Sequence, residues 1–276
     1  MTINLLFTLD CNYLPQLEVA LSSIWLNNSG THFRIFVLHR SLDDATVAYL
    51  QAQAEKHGDR LEAISVEEHL FADAPVSKQY PQEMYYRMLA PHLLPKSVEK
   101  VLYLDPDILV INPLRPLWET DLQGHLFAAA AHSAKTELVG SVNRVRLGTD
   151  HDYFNSGVLL MNLVLGRERI VPQQLFDYAA AHTGTLILPD QDMLNVLFGD
   201  EILSVKDTVW NYDARDYRAY YLTSGGICDL DWVMVNTVVL HFCGKAKPWK
   251  KGYRYRFGLL YKHYEALARR QWTNLV

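Results

Sequence analysis

The spacing of apolar residues changes several times along the chain, and each change marks an element. Residues 3–9 form an apolar-rich run of strand length that Asp10 closes. Leu14, Leu17, Leu21, Ile24 and Trp25 then recur at helical spacing until Asn27-Asn28-Ser29-Gly30 ends the pattern. Residues 34–38 form a second strand, Ser41 is placed to cap a helix over 42–56 that Gly58 stops, and 61–66 form a third strand. Residues 71–81 read as a loop and 83–94 as a helix. Two short strands follow at 101–104 and 108–111, and a small-residue strand at 127–131. Residues 133–152 have weak periodicity and read as irregular. A strand (GVLLMN) lies within 154–165, helices are predicted over 172–182 and from Asp190 through Phe198, strands over 202–205 and 235–240, and a helix over 259–272. Apolar strands alternating with helices predict a mainly parallel α/β sheet, which binds ligands at the carboxyl ends of its strands.

The chain has 276 residues, 49% of them hydrophobic and 21% charged, enough for a sizeable core in one large domain or two small ones. A net charge of −5 gives no reason to expect nucleic acid as a partner. Three scattered cysteines do not make a disulfide framework and fit a reducing, cytoplasmic setting. The start MTINLLFTLD lacks the basic region of a signal peptide, and no apolar run is long enough to span a bilayer, so a soluble or peripheral protein is expected. Charge is unevenly placed. Nine basic residues lie after Gly244 against the single acid Glu265, interleaved with Trp249, Tyr253, Tyr255, Phe257, Tyr261, Tyr264 and Trp272. A main domain over 1–248 with a basic, aromatic extension over 249–276, able to touch an anionic membrane surface, is expected.

The candidate chemistry sits where apolar runs end. In YLDPDILV, Asp105 and Asp107 flank Pro106; two acids that close repel unless a cation lies between them, and hard oxygen ligands suit a divalent ion. The same residues are ordinary turn formers. His241, also at a strand end, can join two carboxylates on a metal, a mixed set that leans toward Mn2+ over Mg2+. Gly244 permits close backbone approach to a phosphate and Lys247 offers a counter-charge. Asp10, Asn12 and Tyr13 can cap a helix or contact a nucleoside. Asp190 and Gln191 can open a helix or face a reacting sugar, and Asn155 can form a turn or line a polar site. A dinucleotide fingerprint, a P-loop and zinc spacing are all missing from the sequence.

Together, Asp10-x-Asn12-Tyr13, Tyr86-Arg87, YLDPDILV, FNSGVLLMN, PDQDMLN, WNY and HFCGKAKPW resemble the family 8 glycosyltransferases, which include lipopolysaccharide galactosyl- and glucosyltransferases and glycogenin. The resemblance implies a Rossmann-like nucleotide-diphospho-sugar transferase fold, type A and single-domain. It implies a UDP-hexose donor (glucose or galactose), a glycan or glycolipid acceptor, retention of anomeric configuration, and Mn2+ held by Asp105, Asp107 and His241. Asp10, Asn12 and Tyr13 would contact uridine, and Arg87 and Asp105 the ribose and sugar side. Gly244 and Lys247 would hold the diphosphate. Asn155, Asp190 and Gln191 would line the sugar pocket, with Gln191 nearest the reacting carbon. Loops 75–80 and 243–248 correspond to segments that close over the donor. Cys11 and His132 stand where relatives often carry Asp. A nucleotide-sugar hydrolase or pyrophosphorylase, or a non-catalytic sugar-nucleotide binder, are the alternatives.

Overall fold

The computed structural model describes residues 1–66, 83–131, 137–182 and 186–272. The expected loop 71–81, the closing loop 75–80 and His132 lie outside the described residues. In chain order the elements are β1 (Thr2–Leu9), α1 (Leu14–Asn27), β2 (His32–His39), α2 (Asp44–Lys56), β3 (Arg60–Ser65), α3 (Glu83–Leu93), β4 (Lys100–Leu104), β5 (Ile108–Val110), α4 (Arg115–Trp118), β6 (Phe127–Ala129) and α5 (Glu137–Leu147). Then come β7 (Val158–Asn162), α6 (Leu163–Arg169), α7 (Pro172–Ala181), α8 (Pro189–Phe198), β8 (Ile202–Ser204), α9 (Asp207–Trp210), β9 (Tyr212–Asp213), α10 (Tyr217–Thr223), α11 (Leu230–Asn236), β10 (Val239–His241) and α12 (Gly258–Trp272).

The main sheet has the order β3-β2-β1-β4-β7-β6-β8, parallel from β3 through β4, with β7 reversed against both neighbours. The order turns back between β1 and β4, so the carboxyl ends of those strands flank the position where open α/β sheets bind ligands. Alternation along the strands feeds two cores. Leu5, Phe7 and Leu102 join one, and Leu6, Phe36 and Tyr103 the other. Burial on both faces is why these strands read as nearly continuous apolar runs. A second, three-stranded sheet, β5-β10-β9, stands beside the first.

Three local expectations change. Asp43, not Ser41, caps α2, its Oδ1 accepting from the Thr46 N–H at 2.7 Å. The stretch read as irregular contains α5, hidden because Val142 and Val145 face solvent (60% and 84% exposed) while Arg146 turns inward, the reverse of ordinary amphipathicity. Residues 235–236 end α11, whose N-cap Asp229 accepts from the Trp232 N–H, and only Val239–His241 form the strand. At the carboxyl end, Phe257, Tyr261, Ala268 and Trp272 enter the same core as α1, with the Trp272 indole donating to Ser22 Oγ at 2.8 Å. The aromatic residues of the 249–276 segment are therefore largely turned into the body. No helix among the described residues is long and apolar enough to cross a membrane.

Candidate active site

Asp105 leaves the end of β4, held by its N–H on the Gly157 carbonyl at 2.8 Å. Asp107 leads into β5, and antiparallel pairing of β5 with β10 sets His241 opposite Ile108. The register brings the three side chains together, one ligand atom of each lying within 4.8 Å of the others. His241 Nε2 is 3.2 Å from Asp107 Oδ1 and 3.6 Å from Asp105 Oδ2. Adjacent ligands on an octahedral ion with ~2.1 Å bonds sit ~3.0 Å apart, so two carboxylates and an imidazole at these separations fit a divalent cation. Lys247 Nζ also contacts Asp107 and donates to the Phe242 carbonyl at 2.8 Å. Burial alone would raise the Asp107 carboxyl, but His241 and Lys247 outweigh it and hold the group well below the usual carboxylate range.

Arg87 on α3 bridges this cluster to α8. Its Nη1 lies 3.1 Å from Asp105 Oδ1 and 3.2 Å from Asp190 Oδ2, and it donates to both oxygens of Ser156. Ser156 Oγ donates in turn to Asp190 at 2.9 Å. The guanidinium rests over the Tyr103 ring, 4.7 Å from its centre, while the Tyr103 hydroxyl donates to Asp105 Oδ1 at 2.6 Å. Asn155 Nδ2 donates to Gln191 Oε1 at 2.9 Å. Asp10 Oδ1 accepts from the Asn12 N–H at 2.7 Å and so caps the turn after β1, leaving Asn12 exposed. Tyr13 meets Trp249 edge to face at 6.2 Å, and burial, opposed by Lys247, raises its hydroxyl pKa. Gly244 has φ +75°, and an added Cβ would lie 2.1 Å from Arg215 Nη1, so loop packing as well as any phosphate contact requires glycine there.

Asp190 and Asp192 have different roles although one helical turn carries both. Asp192 is fully buried, takes a two-pronged contact from Arg146 (2.9 and 2.7 Å) and accepts from the Tyr153 hydroxyl and the Ile187 N–H. Burial would raise its pKa, yet these donors lower it. The stabilisation is thus complete at neutral pH and is lost as pH falls below the ordinary carboxylate value of about 3.9. Replacing Arg146 with Met leaves a buried unpaired carboxylate and should cost about 3–5 kcal/mol in urea unfolding at pH 7, with acid unfolding beginning at higher pH than in the parent.

The structure thus gathers Asp105, Asp107, His241, Arg87, Asp190, Asn155, Gln191 and Lys247 into one contact network at the strand ends, with Tyr13 beside it. Sequence reasoning missed Gly157, where an added Cβ would fall 2.3 Å from His241 Cε1 and 2.6 Å from Asp105 Oδ2. It also missed Ser156, Asn211, Asp192 and Arg215 as structural partners. Asn211 Oδ1 accepts from His241 Nδ1 at 2.9 Å, and its Nδ2 donates to Asn155 Oδ1 at 2.8 Å. The only signal for it was its place in WNY.

The family model for glycosyl transferase family 8 matches residues 4–252. The chain belongs to this family. As a family 8 member it is 25% identical over 263 residues to General stress protein A of Bacillus subtilis, covering 92% of this chain and 90% of that one. It is 24% identical over 259 residues to the lipopolysaccharide 1,2-glucosyltransferase of Escherichia coli K12, covering 90% and 73%. Among solved structures it resembles galactosyltransferase LgtC in complex with donor and acceptor sugar analogues, at a TM-score of 0.78 and 26% identity over 96% of each chain. The nucleotide-sugar transferase fold and glycosyltransferase class of the chain follow, and with them the mainly parallel sheet expected from the sequence.

Proposed function

We propose that this family 8 glycosyltransferase moves glucose or galactose from a UDP-sugar to a glycan or lipid-linked glycan, with retention of configuration and dependence on Mn2+ or, less well, Mg2+. The reading rests chiefly on the convergence of Asp105, Asp107 and His241 at strand ends, with Lys247 and Gln191 in the same network. Asp105, Asp107 and His241 would hold the ion, which supplies Lewis-acid stabilisation of a leaving diphosphate. Lys247 would exchange Asp107 for diphosphate oxygens and neutralise charge as the glycosidic bond breaks. Asp10, Asn12 and Tyr13 would seat the uridine, Gly244 would admit a phosphate oxygen, and Arg87 would orient the sugar through Asp105 and Asp190. Gln191 and Asn155 would face the donor carbon, where an oxocarbenium-like transition state gains most from a fixed amide oxygen.

Incubation with Mn2+ and a panel of UDP-sugars, with and without oligosaccharide acceptors, tests this. Acceptor-dependent release of UDP is expected, and release to water alone would instead favour a hydrolase. Gln191→Ala should lower kcat about 100-fold or more while donor binding changes little. Proton coupling constants of the product should show the donor's anomeric configuration, and an inverted product would reject the mechanism.

Contact with an anionic membrane surface, on the cytoplasmic side in a cell that builds lipid-linked glycans, is part of the same reading. Lys250, Lys251, Arg254 and Arg256 are exposed and have no acidic partner among the described residues, and Leu259 beside them is 82% exposed. Each such cation is worth about 1 kcal/mol near an anionic surface. Because α12 belongs to the core, charge reversal rather than truncation is the suitable probe. The parent chain should sediment with phosphatidylglycerol vesicles at low salt and release at high salt, and Lys250→Glu/Lys251→Glu/Arg254→Glu should stay in solution. Equal sedimentation of both would remove the segment from the reading.

A further inference from the structure

We infer that Asn211 is a positioning residue for His241, and that one backbone amide, Gly157 N–H, fixes the direction of a hydrogen-bond relay running from His241 to Gln191. The inference rests on the metal reading above and deepens it.

A backbone N–H can only donate. Gly157 N–H meets Asn155 at 2.9 Å, so the atom it meets is the carbonyl oxygen Oδ1. The amide group of Asn155 must then be the end that reaches Gln191 at 2.9 Å, and being a donor it selects Gln191 Oε1. Asn211 touches the same Asn155 Oδ1 at 2.8 Å and can do so only through its own Nδ2. Asn211 Oδ1 is left to face His241 Nδ1 at 2.9 Å, and as an acceptor it requires hydrogen on Nδ1. Nε2, directed at Asp105 and Asp107, is then the nitrogen that offers a lone pair when the ring is neutral. Every link is thus assigned from a group whose role cannot be reversed.

Burial keeps water from replacing the Asn211–His241 link, while Asn155 in the middle of the relay is partly buried. Asn211 is fully buried, His241 3% exposed and Gln191 7% exposed. The two ends of the relay serve different purposes. One presents His241 Nε2 to a cation, as partners of metal-binding imidazoles commonly do. The other holds Gln191 Oε1 as an acceptor, so the orientation of its amide is not free.

The purified full chain, titrated with Mn2+ and followed by the electron spin resonance of the free ion, tests the His241 end without any turnover. Asn211→Leu removes the acceptor for Nδ1–H and should weaken Mn2+ binding about 10- to 100-fold. Asn211→Asp keeps the acceptor and should bind Mn2+ at least as tightly as the parent, an outcome that loss of packing does not produce. Asn155→Asp still accepts from Gly157 and Asn211 but can no longer donate to Gln191. It should keep Mn2+ affinity within about threefold and lose at least tenfold in kcat. This variant preserves side-chain volume and stands if Asn211→Leu fails to fold. Equal affinities for the parent and a folded Asn211→Leu overturn the inference, as does equal weakening in Asn211→Leu and Asn211→Asp, or loss of Mn2+ affinity in Asn155→Asp. If the parent itself binds no Mn2+, the metal reading falls and this inference falls with it, a result distinct from all the others.

Discussion

Replacing Asp107 with alanine is expected to abolish Mn2+-dependent binding of UDP and to lower kcat/KM by about 1,000-fold or more, close to 4 kcal/mol of transition-state stabilisation. The residue is 8% exposed, and its side chain serves two neighbours at once, His241 Nε2 at 3.2 Å and the Lys247 ammonium. Without it, a cluster with two carboxylates against an imidazole and a lysine keeps only Asp105, whose other oxygen is committed to Arg87 and Tyr103. One carboxylate and one imidazole are too few ligands to compete with water for a hard divalent ion. The fold should survive, because Asp107 lies in a turn at the edge of the site and Lys247 can swing toward solvent. Calorimetry of UDP binding with and without Mn2+, beside an unchanged thermal midpoint, is the measurement. Parental affinity in the variant, or full turnover of the parent in excess chelator, would falsify the metal role.

Asp105, Asp107 and His241 were legible because each borders an apolar run: Asp105 follows parallel β4 at the ligand-binding edge of the main sheet, Asp107 precedes β5, and His241 ends β10. β1 and β2 were legible for a related reason, since strands buried on both faces must be apolar, whereas β3 at the sheet edge admits Glu62 among its apolar residues. Helix α5 was not, because its inward residue is Arg146 and its outward ones include Val142 and Val145. A pattern method sees that face reversed. Asp190 and Asp192 open the same helix, but residues two apart on a helix point in nearly opposite directions. Asp190 therefore meets Arg87 and Ser156 in the site, while Asp192 is buried on Arg146 and Tyr153. The relay through Asn211 needed three-dimensional adjacency of the segment before β7, α8, the segment after α9 and β10, and no spacing in the sequence encodes that.

Gly157→Ala should lose about 100-fold in kcat and at least tenfold in Mn2+ affinity while folding normally. The glycine introduces Val158–Asn162, and its Cα faces the space between two of the three candidate ligands. A methyl group there would sit 2.3 Å from His241 Cε1 and 2.6 Å from Asp105 Oδ2, whereas ordinary carbon contacts are about 3.5–4.0 Å. Neither neighbour has an easy retreat. His241 is 3% exposed and held through Nδ1, and Asp105 is fixed by Tyr103 and Arg87. Relief requires a displacement of about 1 Å in at least one ligand, a misplacement that can cost 100-fold in rate. The effect on the backbone should be slight, because Gly157 does not adopt a positive φ, unlike Gly244 at +75°. Gly157→Ala is therefore a steric probe of the site without added strain in the chain, where Gly244→Ala would combine both faults. Titration of Mn2+ and initial rates, set against an unchanged unfolding midpoint, separate the two effects. Parental metal affinity and turnover in Gly157→Ala would mean that Asp105 and His241 do not work in the positions the fold gives them.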